Sequence, residues 1–344
     1  MFSSSCFAVR SVESIGASMY TIAAYAIAGK MFPENIAFVY SVLETGNGVG
    51  NMIGPSAGGI LFAIGGFYLP FVATGGVLLV LGFISIVSLP ASATEVDENG
   101  DDDEPELPWS HFFRTTSEVW YIAIAEALCS IICSFPDPTI SLYFEQLGLT
   151  DTTIIGMIFL IASVVYTVVC MAIGRVSDKY DSIVYWLMSS GAIVSAVSFI
   201  IMGPPSFLQQ FIPPSVAMTS VGFTFVYVGV AMVVVPIPRA MMNAAYSVGY
   251  EDGMATSGMI SGLYNCLWCL GGFTGPPLAG FLMERVGFEW GCAVMAVTCL
   301  AIAALLAIPA FSFCLKPCIA KKQYQYVILN EESDSSDGED DDPN

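Results

Sequence analysis

Apolar residues run along this chain in nine blocks, at about 6 to 29, 37 to 62, 67 to 89, 117 to 143, 152 to 174, 182 to 203, 215 to 237, 254 to 282 and 288 to 313. Each is close to the roughly 20 apolar residues that a helix needs to cross a bilayer. Lipid cannot satisfy exposed backbone N–H and C=O groups, so blocks of this kind must be helices. The longest charge-free stretch, Ser182 to Pro238, is far too long for one helix, and GPPSFLQQFIPP at 203 to 214 breaks it into two helices and a turn. The pattern predicts an all-α integral membrane protein with about nine transmembrane helices. It divides into three helices in 1–94, an acidic linker at 95–115, six helices in 116–315 and a disordered acidic tail at 316–344.

Composition agrees. The 344 residues are 55% hydrophobic and 12% charged, with a mean hydropathy of +0.71, whereas about a quarter of a soluble domain is charged. The net charge of −20 is concentrated: Glu95 to Glu106 holds eight acids and Glu331 to Asp342 another eight, leaving the rest nearly balanced. Both acidic runs read as solvated, disordered segments. A surface of this sign argues against nucleic acid as a partner, because phosphate binding needs clustered Lys and Arg. Cys129, Cys133, Cys170, Cys266, Cys269, Cys292 and Cys299 lie inside apolar runs and read as small buried thiols. No Cys/His cluster has metal-ligand spacing, and His111 is the only histidine. Neither a metal, a cofactor nor an enzymatic activity is expected.

The ten basic residues set an orientation. With the C-terminus in the cytosol, Lys30, Arg114, Arg175, Lys179, Arg239, Lys316, Lys321 and Lys322 all fall on the cytosolic side, against Arg285 opposite and Arg10 within a helix. Nine spans then place the N-terminus outside or in a lumen. Met1 to Lys30 carries Arg10 and Glu13 inside its apolar stretch, which does not read as a signal peptide. An upstream segment is therefore expected.

Two spans carry related glycine-rich runs. GNGVGNMIGPSAGG contains Gly50, Gly54, Pro55, Gly58 and Gly59, and LGGFTGPPLAG contains Gly271, Gly275 and Pro276. Glycine lets helix backbones approach closely in lipid, and proline permits a kink. Either run alone fits generic packing, but two copies six helices apart fit the internal repeats of transporters. Between the fifth and sixth spans lies GRVSDKYD. Gly174 can end one helix, Asp178 can sit near the positive N-terminus of the next, and Arg175 with Lys179 supplies counter-charges. Such a junction is either a conformational latch or an ordinary polar loop.

At these residues the chain resembles the major facilitator superfamily. GxxxGPxxGG and GRxSDK are similar to its antiporter motif and to the motif between helices 8 and 9. Arg10, Glu13 and Gly16 resemble the helix 4 motif RxxQGxG, with Glu13 in place of glutamine and Ser14 in place of glycine. The resemblance implies a partial major facilitator fold in which the nine spans correspond to helices 4 to 12 and helices 1 to 3 are absent. Within the superfamily, FPDPTI, VPIPRA and LYNCLWCLGGFTGPP resemble the vesicular amine transporters, especially their polyamine branch. The monoamine members have acids in helices 10 and 11, where this chain places Ala231 and Asn265.

Charges at mid-bilayer cost at least about 2.5 to 3.5 kcal/mol, so each is a functional hypothesis. Glu13, Glu44, Glu126 and Asp137 outnumber the one intramembrane base, Arg10. A carboxyl removed from water favours its neutral form, while a nearby cation favours the ionised one, so one site can hold a proton or an amine in turn. Glu13 has a second reading as a structural ion pair with Arg10, one helical turn away. Glu44, near a helix end, has a second reading as a snorkelling side chain. Glu126 has no local base. Asp137, between Pro136 and Pro138 and at the resembled family's acidic helix 7 position, is the foremost candidate. Asn265 is polar mid-span and expected to face the interior. Tyr143, Tyr227, Tyr264 and Trp268 offer aromatic faces to an amine or simply pack.

The resulting expectation is a proton-coupled antiporter of polyamines or related organic cations in a secretory or endolysosomal vesicle membrane, with organic cation, protons and lipid as partners. The alternatives are a plasma-membrane drug/proton antiporter and a truncated, transport-inactive isoform. In the tail, Tyr326 to Leu329 fits a tyrosine-based sorting signal read by an adaptor.

Overall fold

The computed structural model describes residues 2–88, 109–115, 117–251 and 253–336. Within these ranges, the side chains of 2–8, 10, 33, 51–53, 55, 56, 59, 109, 110, 152, 181, 254 and 313–336 lie outside the described residues. The 95–106 acidic run, Arg10, Pro55, Gly59 and the Tyr326 to Leu329 signal therefore carry no side-chain account.

Helices occupy all nine expected positions. They are α1 Phe2–Met31, α2 Ile36–Gly65, α3 Tyr68–Ser88, a short α4 Trp109–Thr115, α5 Glu118–Ser134, α6 Pro136–Gln146, α7 Thr152–Lys179, α8 Val184–Met202, α9 Val216–Val234, α10 Ile237–Ser247, α11 Met254–Val286 and α12 Phe288–Ser336. Seven helical stretches among the described residues are long and apolar enough to cross a membrane, from Tyr68–Ser88 to Phe288–Ser312. The protein is a multi-pass membrane protein.

Local chemistry sets the boundaries. Gly66, at φ 67°, donates its N–H to the Phe62 carbonyl (2.8 Å) and closes α2, since a left-handed φ favours glycine. Asp151 starts α7 by accepting the Thr153 N–H (2.8 Å), and Ser215 starts α9 by accepting that of Met218 (3.3 Å). The expected break at 203 to 214 is present, with the Gly203 N–H closing α8 on the Phe199 carbonyl (3.0 Å). The seventh expected span is longer than its 215 to 237 estimate, because helix resumes beyond Pro236 and runs to Ser247. Pro236 keeps helical angles (φ −77°, ψ −13°); proline in a first turn lacks only an N–H that would have no intrahelical partner.

Small residues set the helix contacts. Gly271 and Gly275, one turn apart on α11, face Ser130 and Ser134, one turn apart on α5. The Ser130 hydroxyl donates to the Trp268 carbonyl at 2.6 Å. A Cβ built on Gly275 would lie 2.7 Å from that of Ser134, closer than side chains tolerate. The α2 run is different: a Cβ at Gly50, Gly54 or Gly58 would meet nothing within 4 Å among the described residues. On α3, no described residue is buried. Cys129, Cys170, Cys292 and Cys299 are buried as expected and Cys133 is half-buried, but Cys266 and Cys269 are exposed. They sit on faces of α11 turned away from α5, so the apolar run they occupy does not bury them.

The GRVSDKYD segment is built otherwise than its spacing suggested. Gly174 does not end a helix; α7 continues to Lys179. The glycine admits α2, since a Cβ there would sit 2.9 Å from the Ala37 carbonyl oxygen and 2.9 Å from Phe38 Cα. One turn later on the same face, Asp178 accepts the N–H groups of Ala37 on Oδ1 (3.0 Å) and Phe38 on Oδ2 (2.7 Å). It thus caps α2, distant in sequence, rather than the next helix. The reason is geometric: α8 begins only after the Asp181–Ile183 turn, while the α2 start lies directly across the Gly174 contact. The residue preceding α2, Asn35, supplies no side-chain cap, so Asp178 satisfies orphan donors at a positive helix end. Arg175 lies over the Phe38 ring, 4.4 Å from its centroid. With Asn35 and Lys179, these residues line a cleft of about 370 Å³.

Two predictions follow from these contacts. Gly275→Leu is expected to destabilise the detergent-solubilised protein by about 1 to 3 kcal/mol through overpacking, whereas Gly54→Leu leaves the thermal midpoint within about 1 °C, because nothing stands in its way; a thermal unfolding series on both variants checks this. Asp178→Ala is expected to speed amide hydrogen exchange at Ala37 and Phe38 by roughly tenfold to a hundredfold, the equivalent of about 1.4 to 2.8 kcal/mol. Unchanged exchange there would show that α2 does not depend on this cap.

Candidate functional site

Four helices converge where α2 carries Glu44. Its half-buried carboxylate accepts the Tyr25 hydroxyl of α1 at 2.5 Å and the Tyr264 hydroxyl of α11 at 3.3 Å, and the Asn47 side chain also bonds it. Tyr40, one turn before Glu44 on α2, donates its hydroxyl to the Tyr25 backbone carbonyl at 3.2 Å. The three rings pack edge-on or tilted, with centroids 4.5 Å (Tyr25–Tyr40), 5.8 Å (Tyr25–Tyr264) and 6.2 Å (Tyr40–Tyr264) apart. Such stacks fix the hydroxyls that reach the carboxylate.

The fourth helix, α5, contributes Glu126. Its side chain is fully buried and neither carboxyl oxygen has a hydrogen-bond partner. It lies within electrostatic range of Glu44, Tyr25 and Tyr264. An isolated ionised carboxylate in a low-dielectric interior costs several kcal/mol, so a proton or a cation has to accompany it. Glu44 and Glu126 therefore form a pair in which one carboxyl is held by hydroxyl donors and the other is bare.

Asp137 stands apart from this cluster, on the first turn of α6. The Tyr227 hydroxyl of α9 donates to its Oδ1 at 3.0 Å, and the residue is exposed. Tyr227 packs edge-on against Tyr166 of α7, with centroids 6.0 Å apart, and Tyr166 in turn is within range of Glu44 and Tyr264. Cys133, on α5 between the two acids, is within reach of Glu44, Glu126 and Asp137 together. Two carboxylate stations thus face one stretch of α5 and α6, connected by a row of tyrosines.

Of the residues singled out from sequence, Glu44, Glu126 and Asp137 come together around this stretch. Asn265 is half-buried beside Tyr264. Glu13 is exposed on α1, away from the cluster, and its expected partner Arg10 lies outside the described side chains. Tyr264 and Tyr227 bind the acids, whereas Tyr143 stacks on Phe288 at 4.1 Å and bonds Glu289 (3.4 Å) at another place. Glu44 does not snorkel to a helix end; it turns inward onto hydroxyls from two other helices. Tyr25, Tyr40 and Tyr166 escaped the sequence reading. The Tyr40–Glu44 spacing of one turn was the available signal, but tyrosines in apolar spans ordinarily mark interfaces or packing.

The family is visible beyond the geometry. Residues 1–276 match the Major Facilitator Superfamily model. The chain is 31% identical over 294 residues to the MFS-type transporter SLC18B1 of Mus musculus, a match covering 86% of this chain and 62% of that protein. Its identity to the Homo sapiens protein of the same name is 29% over 294 residues, with the same shares. Against the Synaptic vesicular amine transporter of Homo sapiens it is 22% identical over 327 residues, 93% of this chain and 58% of that protein. The chain spans about three fifths of the length of the curated relatives it matches. An all-helical array whose glycine seams, trans-capped α2 and buried acids fall inside a match covering most of its length identifies the chain as a member of the Major Facilitator Superfamily.

Proposed function

We propose that this chain carries the substrate and proton site of an antiporter that moves polyamines or related organic cations into vesicles in exchange for protons. The observation that carries the reading is Glu126, a fully buried carboxyl with no hydrogen-bond partner, beside the hydroxyl-bound Glu44. A site of two carboxyls and tyrosine faces suits an ammonium group, which gains charge pairing from the acids and cation–π attraction from the rings. The same carboxyls accept protons when the cation leaves. Exclusive occupancy is the minimal chemistry of exchange.

The names of the relatives point the same way, since those at 22% identity are a synaptic vesicular amine transporter and a vesicular acetylcholine transporter. The absence of an acid at Ala231 and Asn265 favours polyamines over monoamines. Alternating access is supported by the Asp178 cap, whose two hydrogen bonds join α7 to α2 beside the Gly174 and Arg175 contacts and part when the helices separate. A cytosolic C-terminus, a vesicular address and a sorting adaptor at Tyr326 to Leu329 complete the proposal.

The test is uptake of labelled spermidine and monoamines by the protein carrying this chain, reconstituted into proteoliposomes with an acidic interior. Uptake is expected to require the gradient and to vanish with a protonophore; uptake that persists without a gradient overturns proton coupling. Glu44→Gln, which weakens two charge-assisted hydrogen bonds and removes a charge, is expected to lower kcat/KM by about 10- to 100-fold, with Tyr25→Phe giving a smaller loss of roughly fivefold. Normal transport by both variants would exclude the tyrosine-bound carboxylate from the site.

A further inference from the structure

We infer that the cleft between the start of α2 and the end of α7 is a site for the phosphate group of an anionic membrane lipid, and that a lipid seated there secures the junction of the two helices. The site lies apart from the Glu44 cluster and does not depend on the substrate reading. Asn35 and Phe38 line it at the start of α2, and Arg175, Asp178 and Lys179 line it from the last turn of α7, around a volume of about 370 Å³. That is the size of a small-ligand pocket.

Two of the lining side chains are cations. Arg175 and Lys179 stand one helical turn apart on α7, about 6 Å along its axis. Both are exposed, and among the described residues each rests on an aromatic ring: the Arg175 guanidinium is 4.4 Å from the Phe38 centroid and the Lys179 ammonium 5.3 Å from that of Tyr180. A ring against the face of a guanidinium leaves its N–H edge free, and that edge matches two oxygens of a phosphate. Asp178, the carboxylate in the cleft, has both oxygens on the Ala37 and Phe38 N–H groups, so its charge is set against the positive end of α2. Glu34 is exposed and does not line the cleft. The Asn35 amide, which does not cap α2, adds a neutral donor from the opposite wall.

The depth of the cleft selects a lipid. Lys179 is the last residue of the apolar span Thr153–Lys179, so the cleft lies at a bilayer surface, where rings such as Phe38 and Tyr180 settle at headgroup level. In the proposed orientation that surface is cytosolic, and the cytosolic leaflet carries the anionic lipids. A phosphomonoester on an inositol headgroup carries a charge of about −1.5 to −2 and three acceptor oxygens, enough for both cations. Because each helix supplies one wall, a lipid fits only while α2 and α7 adjoin. It favours that arrangement by mass action.

The experiment is binding of fluorescent phosphatidylinositol 4,5-bisphosphate to the protein carrying this chain in phosphatidylcholine nanodiscs, with phosphatidylserine and soluble inositol 1,4,5-trisphosphate as competitors. General attraction of a surface cation for anionic lipid amounts to about fivefold, the loss expected for Arg114→Gln, an exposed cation outside the cleft. Arg175→Gln is expected to weaken binding about 10- to 100-fold, and the charge-conserving Arg175→Lys about tenfold, since it loses the planar fork and the stacking on Phe38. Equal losses in Arg175→Gln and Arg114→Gln, with Arg175→Lys unchanged, overturn the site. Phosphatidylserine and the soluble trisphosphate are each expected to compete at least about tenfold more weakly than unlabelled bisphosphate lipid. Equal competition by the first overturns the phosphomonoester, and equal competition by the second overturns the lipid as the source. In the unmodified protein, the lipid at about ten times its Kd is expected to slow amide exchange at Ala37 and Phe38 about tenfold. Exchange that stays unchanged with lipid bound overturns its role at the junction.

Discussion

The bilayer interior offers no hydrogen-bond partner, and every polar atom placed there has to find one within the protein. Most do so in the simplest way. Thr45, Ser134, Ser163, Ser220, Thr224 and Thr298 each bond the carbonyl one turn back on their own helix, at 2.7 to 3.0 Å. Others reach across: Ser130 to Trp268, Ser189 to Ala303 and Thr219 to Met202. Against that background Glu126 is the described carboxyl that is buried with both oxygens unpartnered. Hydroxyls left alone cost little beside a charge, so the interest of the structure concentrates on this residue and on the tyrosine-bound Glu44 near it.

The helix α2 links the Asp178 cap to the Glu44 cluster. Its first turn is held by Asp178 of α7, and Glu44 lies seven residues beyond Ala37, about 10 Å along the same axis. Two unbroken helical turns join them, so a tilt that parts the start of α2 from α7 carries Glu44 with it. The Gly174 contact makes the pair close enough for the cap, and the cap uses both oxygens of one carboxylate on two backbone donors.

Prolines mark two junctions between helical segments. Pro136 and Pro138 bracket Asp137 in the first turn of α6, where a proline removes only a donor without an intrahelical partner. The Thr139 hydroxyl bonds the Phe135 carbonyl at 2.8 Å across the junction. The pair Pro236 and Pro238 acts similarly where α9 passes into α10, which is why that span outruns its expected end.

The sequence by itself determined the type of the elements and the places of nine helices, since unbroken apolar blocks of about 20 residues leave a backbone in lipid no choice but helix. It also determined the α11 glycine seam, the family, and three candidate acids, because a charge in an apolar span stands out without any knowledge of its neighbours. Only the tertiary structure decided which acids are partners. Asp178 turned out to cap a helix some 140 positions away, Glu44 to be held by Tyr25 and Tyr264, and Glu13 to lie outside the cluster. Tyrosine at mid-span reads the same whether it packs or binds, and the direction of a side chain depends on which helix lies opposite. Helix formation is a local consequence of solvent, whereas pairing across helices depends on contacts between residues far apart in the chain, which spacing along one helix does not encode.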